Sequence, residues 1–325
     1  MWFLNYIIVV FVVFFLFCLC FFKFCVGKYF FIGYNHGKDF VFFRLSCQIP
    51  QPKYYFFTFS RDIIQFQNVF LQKGSFMINS NISSNFNSKY PIYADLHTHS
   101  ISSGHGSEDT VTDMIRSASE SGLSLLGISE HGPATLGSAK ASYFQSLKLA
   151  DRDRFGIRVL YGAELNIINT AGDVDLDDEI LSTLDYAIVS IHPPILKPYH
   201  YKDLSSAYIH AMDHPKVRFL GHIDDARFPV DFEYLLEIAK EKHIYPEINN
   251  GSLMPDAYRI NGQENCRRIL RICKKLDLPV LLSSDSHGKK NIGNMQYIFP
   301  LLEELDFPAH LVLNSNQSAL LDIIQ

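Results

Sequence analysis

Two histidines separated by one residue stand at the end of a short apolar stretch. They are His97 and His99, in the segment YADLHTHS that runs from Tyr93 to Ser100. Residues two apart in an extended chain point to the same side, so both imidazoles can reach one metal ion if a strand ends there. A polar loop can carry the same spacing, and the pair alone is therefore only a moderate indication of a metal site.

Six more strand-like stretches downstream also end in side chains that can bind metal. In chain order, with the loop after the first strand included, the metal-capable positions are His97, His99, His105, His131, Glu164, His192, His222, Asp285 and His287, and the sixth strand ends in EINN at 247–250. A lone strand-end histidine is more often an ordinary surface residue. Seven histidines and two carboxylates at one pole are different, because burying them together without a metal would cost too much free energy.

The types of these side chains narrow the choice of metal. Imidazole and carboxylate ligands without a thiolate suit zinc, manganese or iron. Nine ligands exceed what one or even two tetrahedral sites need, so the sequence favours three ions.

A regular alternation of strands and helices from Tyr93 onward would position these side chains. Strands are predicted at 92–97, 124–129, 157–166, 185–191, 217–222, 244–249, 279–284 and 310–314, and helices over 107–121, 231–242 and 263–276. Seven or eight such units in about 230 residues predict an α/β fold with a parallel sheet closed into a TIM-like barrel, whose chemistry gathers at the carboxyl ends of the strands. An open doubly wound sheet is the alternative, although no G-x-G-x-x-G follows a strand to indicate a dinucleotide fold.

The order of short motifs resembles one known family. The series D-L-H-T-H, H-G, G-x-E, H-P, G-H and S-D-S-H is similar to that of the PHP family, the polymerase and histidinol phosphatase superfamily of metal-dependent phosphoesterases. Residues 93–325 most resemble its compact stand-alone phosphatases of the YcdX type, especially in IYPEINN at 244–250 and SDSH at 284–287. The resemblance implies a distorted (β/α)7 barrel, which agrees with the strand count.

The resemblance also implies a ligand set, and all nine positions hold a competent side chain. The implied groups are His97, His99, Glu164 and Asp285 around one ion, the bridging Glu164 with His192 and His222 around a second, and His105, His131 and His287 around a third. Three divalent ions are implied, with zinc preferred and manganese or iron as alternatives. The expected catalytic residues are Glu164, Asp285 and His287.

Two acidic neighbours are expected to support ligands without binding metal themselves. Glu130 precedes His131 at a position where the family commonly has aspartate. This difference puts in question how the nearby ligands are supported, but it does not affect the expected metal binding. Asp95 is interpreted in the same supporting way.

The implied activity is hydrolysis of a phosphoric ester. A water that bridges two or three ions loses its proton near neutral pH and becomes the nucleophile, and the ions neutralise the charge that develops. The expected substrate is a small phosphorylated metabolite with one ester bond, for which histidinol phosphate or a sugar or nucleotide phosphate would fit.

Three alternatives remain open. A PHP-type 3'-5' exonuclease is the first, although the net charge of −5 and the missing nucleic-acid domain argue against a nucleic-acid partner. A non-catalytic PHP module would predict eroded ligands, and none is missing. An amidohydrolase also begins with HxH, but it usually needs a carbamylated lysine where Glu164 stands.

Seven basic residues lie in or near loops that follow strands, where a phosphate would arrive. They are Lys140, Lys197, Lys202, Arg227, Arg259, Lys289 and Lys290. Each is more often an ordinary solvated charge than a ligand. Arg227 and Lys289, which closely follow His222 and His287, are the first candidates to test.

The first quarter of the chain differs in composition from the rest. Residues 1–76 hold 19 of the 27 phenylalanines and show no lasting helical or strand period, so no fold is predicted there. Leu4 to Phe22 is apolar apart from Asn5 and Tyr6, which is long enough to span a bilayer. The expected organisation is an apolar segment at 1–27, an irregular extension and polar linker at 28–90, and a PHP domain at 91–325.

Two interpretations of this segment are carried forward. In the preferred one the functional protein begins at or near Met77 and is cytoplasmic, the upstream residues being an over-extended reading of the gene. In the other, residues 3–22 are a single membrane anchor, and the lysines that follow keep the barrel in the cytoplasm.

Cys266 and Cys273 are predicted to be buried thiols in a reducing compartment. The sequence leaves open whether the protein forms a homo-oligomer.

Overall fold

The computed structural model describes residues 29–36, 39–47, 57–61 and 89–324, and its internal contacts divide the chain into Met1–Gly74 and Ser75–Gln325. In the first unit, strands β1 (Tyr29–His36), β2 (Asp39–Cys47) and β3 (Phe57–Arg61) form an antiparallel sheet in that order. These three strands lie in the part of the chain for which no fold is predicted from the sequence. Their many aromatic residues favour paired strands even without a regular alternation.

The predicted membrane-spanning segment from Leu4 to Phe22 lies outside the described residues. Among the helices that the structure does describe, none combines the length and the apolar content needed to cross a bilayer.

Seven parallel strands of the second unit form an almost closed barrel. They are β4 (Ala94–Asp95), β6 (Leu125–His131), β8 (Ile157–Asn166), β9 (Tyr186–Ser190), β10 (Val217–Leu220), β11 (Tyr245–Asn249) and β12 (Leu281–Ser283). Each strand pairs with the next in this order, and the short β7 (Asp153–Arg154) pairs antiparallel with the start of β8. The predicted seven-stranded α/β barrel is confirmed.

Two sets of contacts join the first and last strands. At the carboxyl ends, β5 (Thr98–His99) pairs in parallel with β13 (Ser286–His287). Deeper in the barrel, the buried amide of Asn314 donates to the carbonyl oxygens of Ala94 at 2.8 Å and Leu282 at 2.7 Å, and it accepts from the Leu282 N–H at 2.7 Å. Asn314 thus bridges the gap that strand pairing leaves between β4 and β12.

The segment around Asn314 was expected to be a strand over 310–314, and this prediction is wrong. It forms two 3-10 turns, Ala309–Leu311 and Leu313–Ser315. The segment is apolar because it is buried in the fold: Val312 is buried and forms a parallel bridge with Val280.

Eight α-helices lie between or after the strands of the described part of the chain. They are α1 (Val111–Glu120), α2 (Ala141–Ser146), α3 (Asp178–Leu181), α4 (Ser205–Ala211), α5 (Phe232–Glu241), α6 (Gly262–Leu276), α7 (Phe299–Glu304) and α8 (Gln317–Ile324). Helix α1 begins later than predicted because Thr110 and Asp113 form a capping box. Cys266 and Cys273 on α6 are buried free thiols, as expected.

The barrel interior is layered. Its apolar layer is built from inward-facing strand residues around Tyr186, whose hydroxyl donates to the Leu96 carbonyl. The tyrosine occupies the space of two missing side chains, since a Cβ at Gly127 would lie 2.1 Å from its Oη and one at Gly162 2.7 Å from its Cζ. Two residues beyond Gly162, on the same face of β8, the interior becomes polar at Glu164.

Candidate metal centre

Glu164 lies at the centre of the polar layer, near the end of β8, and is fully buried. Its Oε1 faces the Nε2 atoms of three histidines from three different strand ends. The distances are 2.9 Å to His222, 3.2 Å to His192 and 3.4 Å to His97. One carboxylate oxygen therefore has three imidazoles around it.

The other oxygen of Glu164 faces a second group of histidines. Oε2 lies 2.5 Å from His131 Nδ1 and 3.6 Å from His99 Nε2. The side chains of His99, His131 and His287 offer ligand atoms that all lie within 4.8 Å of one another. His105 joins this group from the loop after β5, with its ring centroid 4.8 Å from that of His131 and 5.0 Å from that of His287.

Asp285 lies against the first two histidines of the sequence motif. Its Oδ1 is 3.3 Å from His99 Nε2 and 3.5 Å from His97 Nε2. Its Oδ2 accepts hydrogen bonds from Arg259 Nη2 at 2.7 Å and from Asn249 Nδ2 at 3.0 Å. One oxygen of Asp285 thus faces the centre, while the other is held from behind.

Two of these residues adopt the left-handed backbone conformation that favours glycine. The φ angle is 27° at His222 and 53° at Asp285. Such conformations cost of order 1–3 kcal/mol, persist only where the surroundings enforce them, and collect at functional sites. At His222 the enforcing contact is the backbone N–H, which donates to Glu247 Oε2 at 2.7 Å.

The structure brings all nine sequence-predicted positions into one cluster, and the cluster fits divalent metal ions. Several buried atoms within it have no hydrogen-bond partner, namely Nε2 of His97, His99 and His287, both ring nitrogens of His131, and Oε2 of Glu164. His131 Nδ1 and Glu164 Oε2 are in close contact, but neither atom has a hydrogen-bond partner. Unpaired buried polar atoms are costly, and a metal ion that accepts their lone pairs removes that cost.

The orientation of His97 is set by Glu247, at the end of β11. His97 Nδ1 lies 2.6 Å from Glu247 Oε1. A carboxylate only accepts hydrogen bonds, so Nδ1 carries the hydrogen and Nε2 is turned to the centre. Glu247 is itself held by the Ser283 hydroxyl and by Asn249 Nδ2. A carboxylate behind a histidine is the usual support of a metal ligand.

His99 is held in an equivalent way through a hydroxyl. Ser103 Oγ donates to Glu130 Oε2 at 2.5 Å. The same Ser103 Oγ lies 2.9 Å from His99 Nδ1. The hydroxyl of Ser100 donates to Glu130 Oε1 at 2.5 Å. The glutamate at position 130 thus reaches two serines at once, and it supports His99 through one of them.

The ionisation states of the cluster suit cation binding. Burial alone would raise the pKa of Glu164, but His192 and the other histidines outweigh it and hold that pKa well below its usual range. The same balance, with His97 and Arg259 as the main opposing charges, holds the pKa of Asp285 well below its usual range. Burial and the neighbouring His131 hold the pKa of His99 well below 6.5, so its imidazole is neutral.

His97 differs from His99 in this respect. Burial lowers its pKa, but the carboxylates of Glu247, Asp285 and Glu164 prevail and hold the pKa well above 6.5. These carboxylates therefore favour the protonated imidazole in the metal-free protein, and a cation that binds to Nε2 competes with the proton there.

The basic residues near the strand ends divide into two groups. Arg227 and Lys289, the first candidates from sequence, are paired elsewhere, with Asp225 at 2.5 Å and Asp109 at 2.8 Å. Arg259 instead contacts the cluster through Asp285, and its side chain is only 16% exposed. Arg259, and neither Arg227 nor Lys289, is thus the basic residue of these three that contacts the cluster.

Asn166 supports a further ligand, since its Oδ1 lies 2.7 Å from His192 Nδ1. The sequence alone does not assign the supporting roles of Glu247, Ser103 and Asn166. Glu247 had a readable signal, since it precedes Asn249 by two residues and therefore shares its face of a predicted strand. Ser103 and Asn166 had none, because Glu130, which Ser103 contacts, and His192, which Asn166 contacts, are 27 and 26 residues away from them.

The chain is similar to known proteins over this same region. Residues 95–251 match the family model of the PHP domain. A probable phosphatase of Clostridium acetobutylicum is 36% identical over 231 residues, which cover 71% of this chain and 93% of that protein. A probable phosphatase of Acetivibrio thermocellus is 35% identical over 222 residues, 68% of this chain and 90% of the relative. One of Photobacterium profundum is 30% identical over 231 residues, 71% of this chain and 93% of the relative.

Proposed function

The chain belongs to the PHP-domain family of phosphoesterases, and we propose that this hydrolase of phosphoric esters acts on a small phosphomonoester with three divalent metal ions. The observation that carries the proposal is the convergence of unpaired histidine nitrogens on Glu164 and Asp285. Family membership makes phosphoric ester hydrolysis the reaction. The number of ions and the size of the substrate are the proposed parts.

The proposed ligands follow the two oxygens of Glu164. His97, His99 and Asp285 would share one ion with Glu164, and His192 and His222 would hold a second on its Oε1 side. The third would be held by His105, His131 and His287. Imidazole and carboxylate ligands support zinc as the metal, with manganese or iron as alternatives.

Bound divalent ions would lower the pKa of water and neutralise the charge that develops on a phosphate ester. The protein's own contribution is orientation. Glu247 keeps His97 Nε2 turned to the centre, and Asn249 with Arg259 keeps one oxygen of Asp285 directed there. A guanidinium has five N–H donors. Arg259 can therefore hold Asp285 and still donate a hydrogen bond to a phosphate oxygen.

A monoester is favoured over a polynucleotide by the charges around the site. Arg227 and Lys289, which could have extended a basic track away from the centre, are each neutralised by an aspartate. The net charge of −5 opposes binding of a polyanion as well. Both features support a substrate recognised mainly by a single phosphate.

Metal analysis with a substrate panel tests the proposal. The full-length protein should contain about three equivalents of divalent metal, in accordance with the four-coordinate preference of zinc and nine available ligands. Chelation should abolish hydrolysis of p-nitrophenyl phosphate, and zinc or manganese should restore it. Activity that survives complete metal removal would contradict the mechanism, and faster turnover of an oligonucleotide would favour the exonuclease.

A further inference from the structure

His192 is held by a relay of hydrogen bonds that ends outside the proposed metal centre. Its Nδ1 lies 2.7 Å from Oδ1 of Asn166, the last residue of β8. Asn166 Nδ2 donates to Asp175 Oδ2 at 2.7 Å and to Thr135 Oγ1 at 3.1 Å. The relay therefore runs from the imidazole through an amide to a carboxylate in the loop before α3.

The carboxylate decides which way the amide is turned. Asp175 can only accept hydrogen bonds, so the NH2 group of Asn166 must face it and the amide oxygen must face His192. Nδ1 of His192 then carries the hydrogen, and Nε2 keeps its lone pair on the side of Glu164 Oε1, 3.2 Å away. A change at Asp175 would therefore alter the tautomer of His192, although the two side chains are linked only through Asn166.

Asp175 is well fixed for such a role. Its Oδ1 accepts from the Asn166 backbone N–H and its Oδ2 from the Ala134 N–H, both at 2.9 Å. It also packs against Gly132, where an added Cβ would lie 2.2 Å from Oδ1. Gly132 directly follows His131, so the same carboxylate ties together the two loops that carry His131 and the Asn166 relay.

We propose that Asp175 is a positioning residue that sets the tautomer of His192 through Asn166 and thereby retains the metal ion bound by His192. The tautomer part stands on the hydrogen bonds alone. The retention part rests on the proposed function, because it needs a metal at His192.

The substitution Asp175→Asn, made in the full-length protein, separates these parts. The new side chain has an NH2 group that donates and a carbonyl oxygen that accepts, so the Asn166 amide can turn its own NH2 group toward His192. The imidazole then takes the other tautomer, with hydrogen on Nε2. Long-range 15N NMR of the metal-free protein, with His192 assigned by comparison with His192→Gln, should show this change. Metal titration should show about 10- to 100-fold weaker binding of one ion.

Two further variants keep the test specific. Asp173→Asn is the matched control, because Asp173 lies exposed in the same loop and its side chain accepts from Asn169 Nδ2, away from the relay. It should leave the tautomer and the metal affinity unchanged. The double variant Asn166→Asp with Asp175→Asn exchanges carboxylate and amide, so an oxygen again faces His192. It should recover the original tautomer and most of the metal affinity.

Each outcome has a definite meaning. An unchanged Nδ1–H tautomer in a folded Asp175→Asn protein overturns the proposal. If that variant does not fold, the double variant decides, and an Nε2–H tautomer there overturns the proposal as well. A changed tautomer with unaltered metal affinity overturns the retention part. Absence of metal from the unmodified protein would instead contradict the proposed centre and leave the tautomer comparison intact.

Discussion

At the scale of single residues, Glu164 combines properties that oppose each other in a protein without a cation. It is completely buried, and its pKa is nevertheless held well below the usual range by the histidines around it. An ionised carboxylate in the interior needs compensating charge. The imidazoles around Glu164, with His97 favoured in its protonated form, supply part of that charge, and divalent ions in the proposed centre would supply the rest.

Replacement of Glu164 by glutamine should therefore remove more metal than replacement of a peripheral ligand. The amide cannot supply the negative charge that two cations share, whereas His105→Gln removes an exposed imidazole at the edge of the cluster. We expect kcat/KM to fall about 100-fold or more in Glu164→Gln, since metal-assisted stabilisation is worth several kcal/mol. Elemental analysis of both variants and of the unmodified protein provides the comparison.

His105→Gln serves as the matched control in that experiment and should lose at most one equivalent. Equal metal stoichiometry in Glu164→Gln and the unmodified protein would rule out the bridging role.

At the scale of elements, the contacts that close the barrel also position candidate ligands. The strand pair that joins the first and last strands places His99 opposite His287, and their ring centroids lie 4.4 Å apart. Below this pair the contact between β4 and β12 depends on the Asn314 side chain. Loss of the Asn314 contacts would therefore let the distance between His99 and His287 vary more.

The substitution Asn314→Ala should destabilise the fold strongly. It leaves the Ala94 carbonyl and both backbone polar groups of Leu282 without their partner, in a fully buried position. With about 1 kcal/mol or more for each unsatisfied group, the free energy of unfolding should fall by about 3 kcal/mol. Urea denaturation of the metal-free protein measures this. The exposed Asn291→Ala is the control, and equal midpoints for the two variants would contradict the bridging role of Asn314.

The same elements show what the sequence could predict. Strand ends were readable because apolar runs stop where histidines and carboxylates begin, and all nine candidate positions came together. The strand at 310–314 was mispredicted because the short apolar run from Leu311 to Leu313 does not distinguish a strand from buried 3-10 turns. The sequence places Glu247 on the same strand face as Asn249, but its pairing with His97 could not be predicted, since the two residues are 150 positions apart and only the fold brings them together.

At the scale of the whole molecule, the second unit holds everything that the proposed reaction needs. Ser75–Gln325 contains the seven barrel strands, both buried apolar clusters and all nine candidate ligands. The Clostridium acetobutylicum relative aligns over 231 residues, which cover 71% of this chain but 93% of that protein. The candidate ligands and the seven barrel strands therefore all lie in the second unit.

A chain shortened to begin at Met77 should keep the stability and the activity of the full-length protein. It retains Tyr90, which is fully buried and whose hydroxyl donates to the Phe307 carbonyl at 2.7 Å. A chain that begins at Tyr93 is the control, because it lacks Tyr90 and the buried Ile92. Loss of a large buried aromatic side chain costs about 3–5 kcal/mol, so the control should unfold at clearly lower urea concentration. Metal content, kcat/KM for p-nitrophenyl phosphate and the urea midpoint are measured for all three chains. A shortened chain from Met77 that loses metal or activity would show that residues 1–76 contribute to the site, and the assignment of function to the second unit alone would then be wrong.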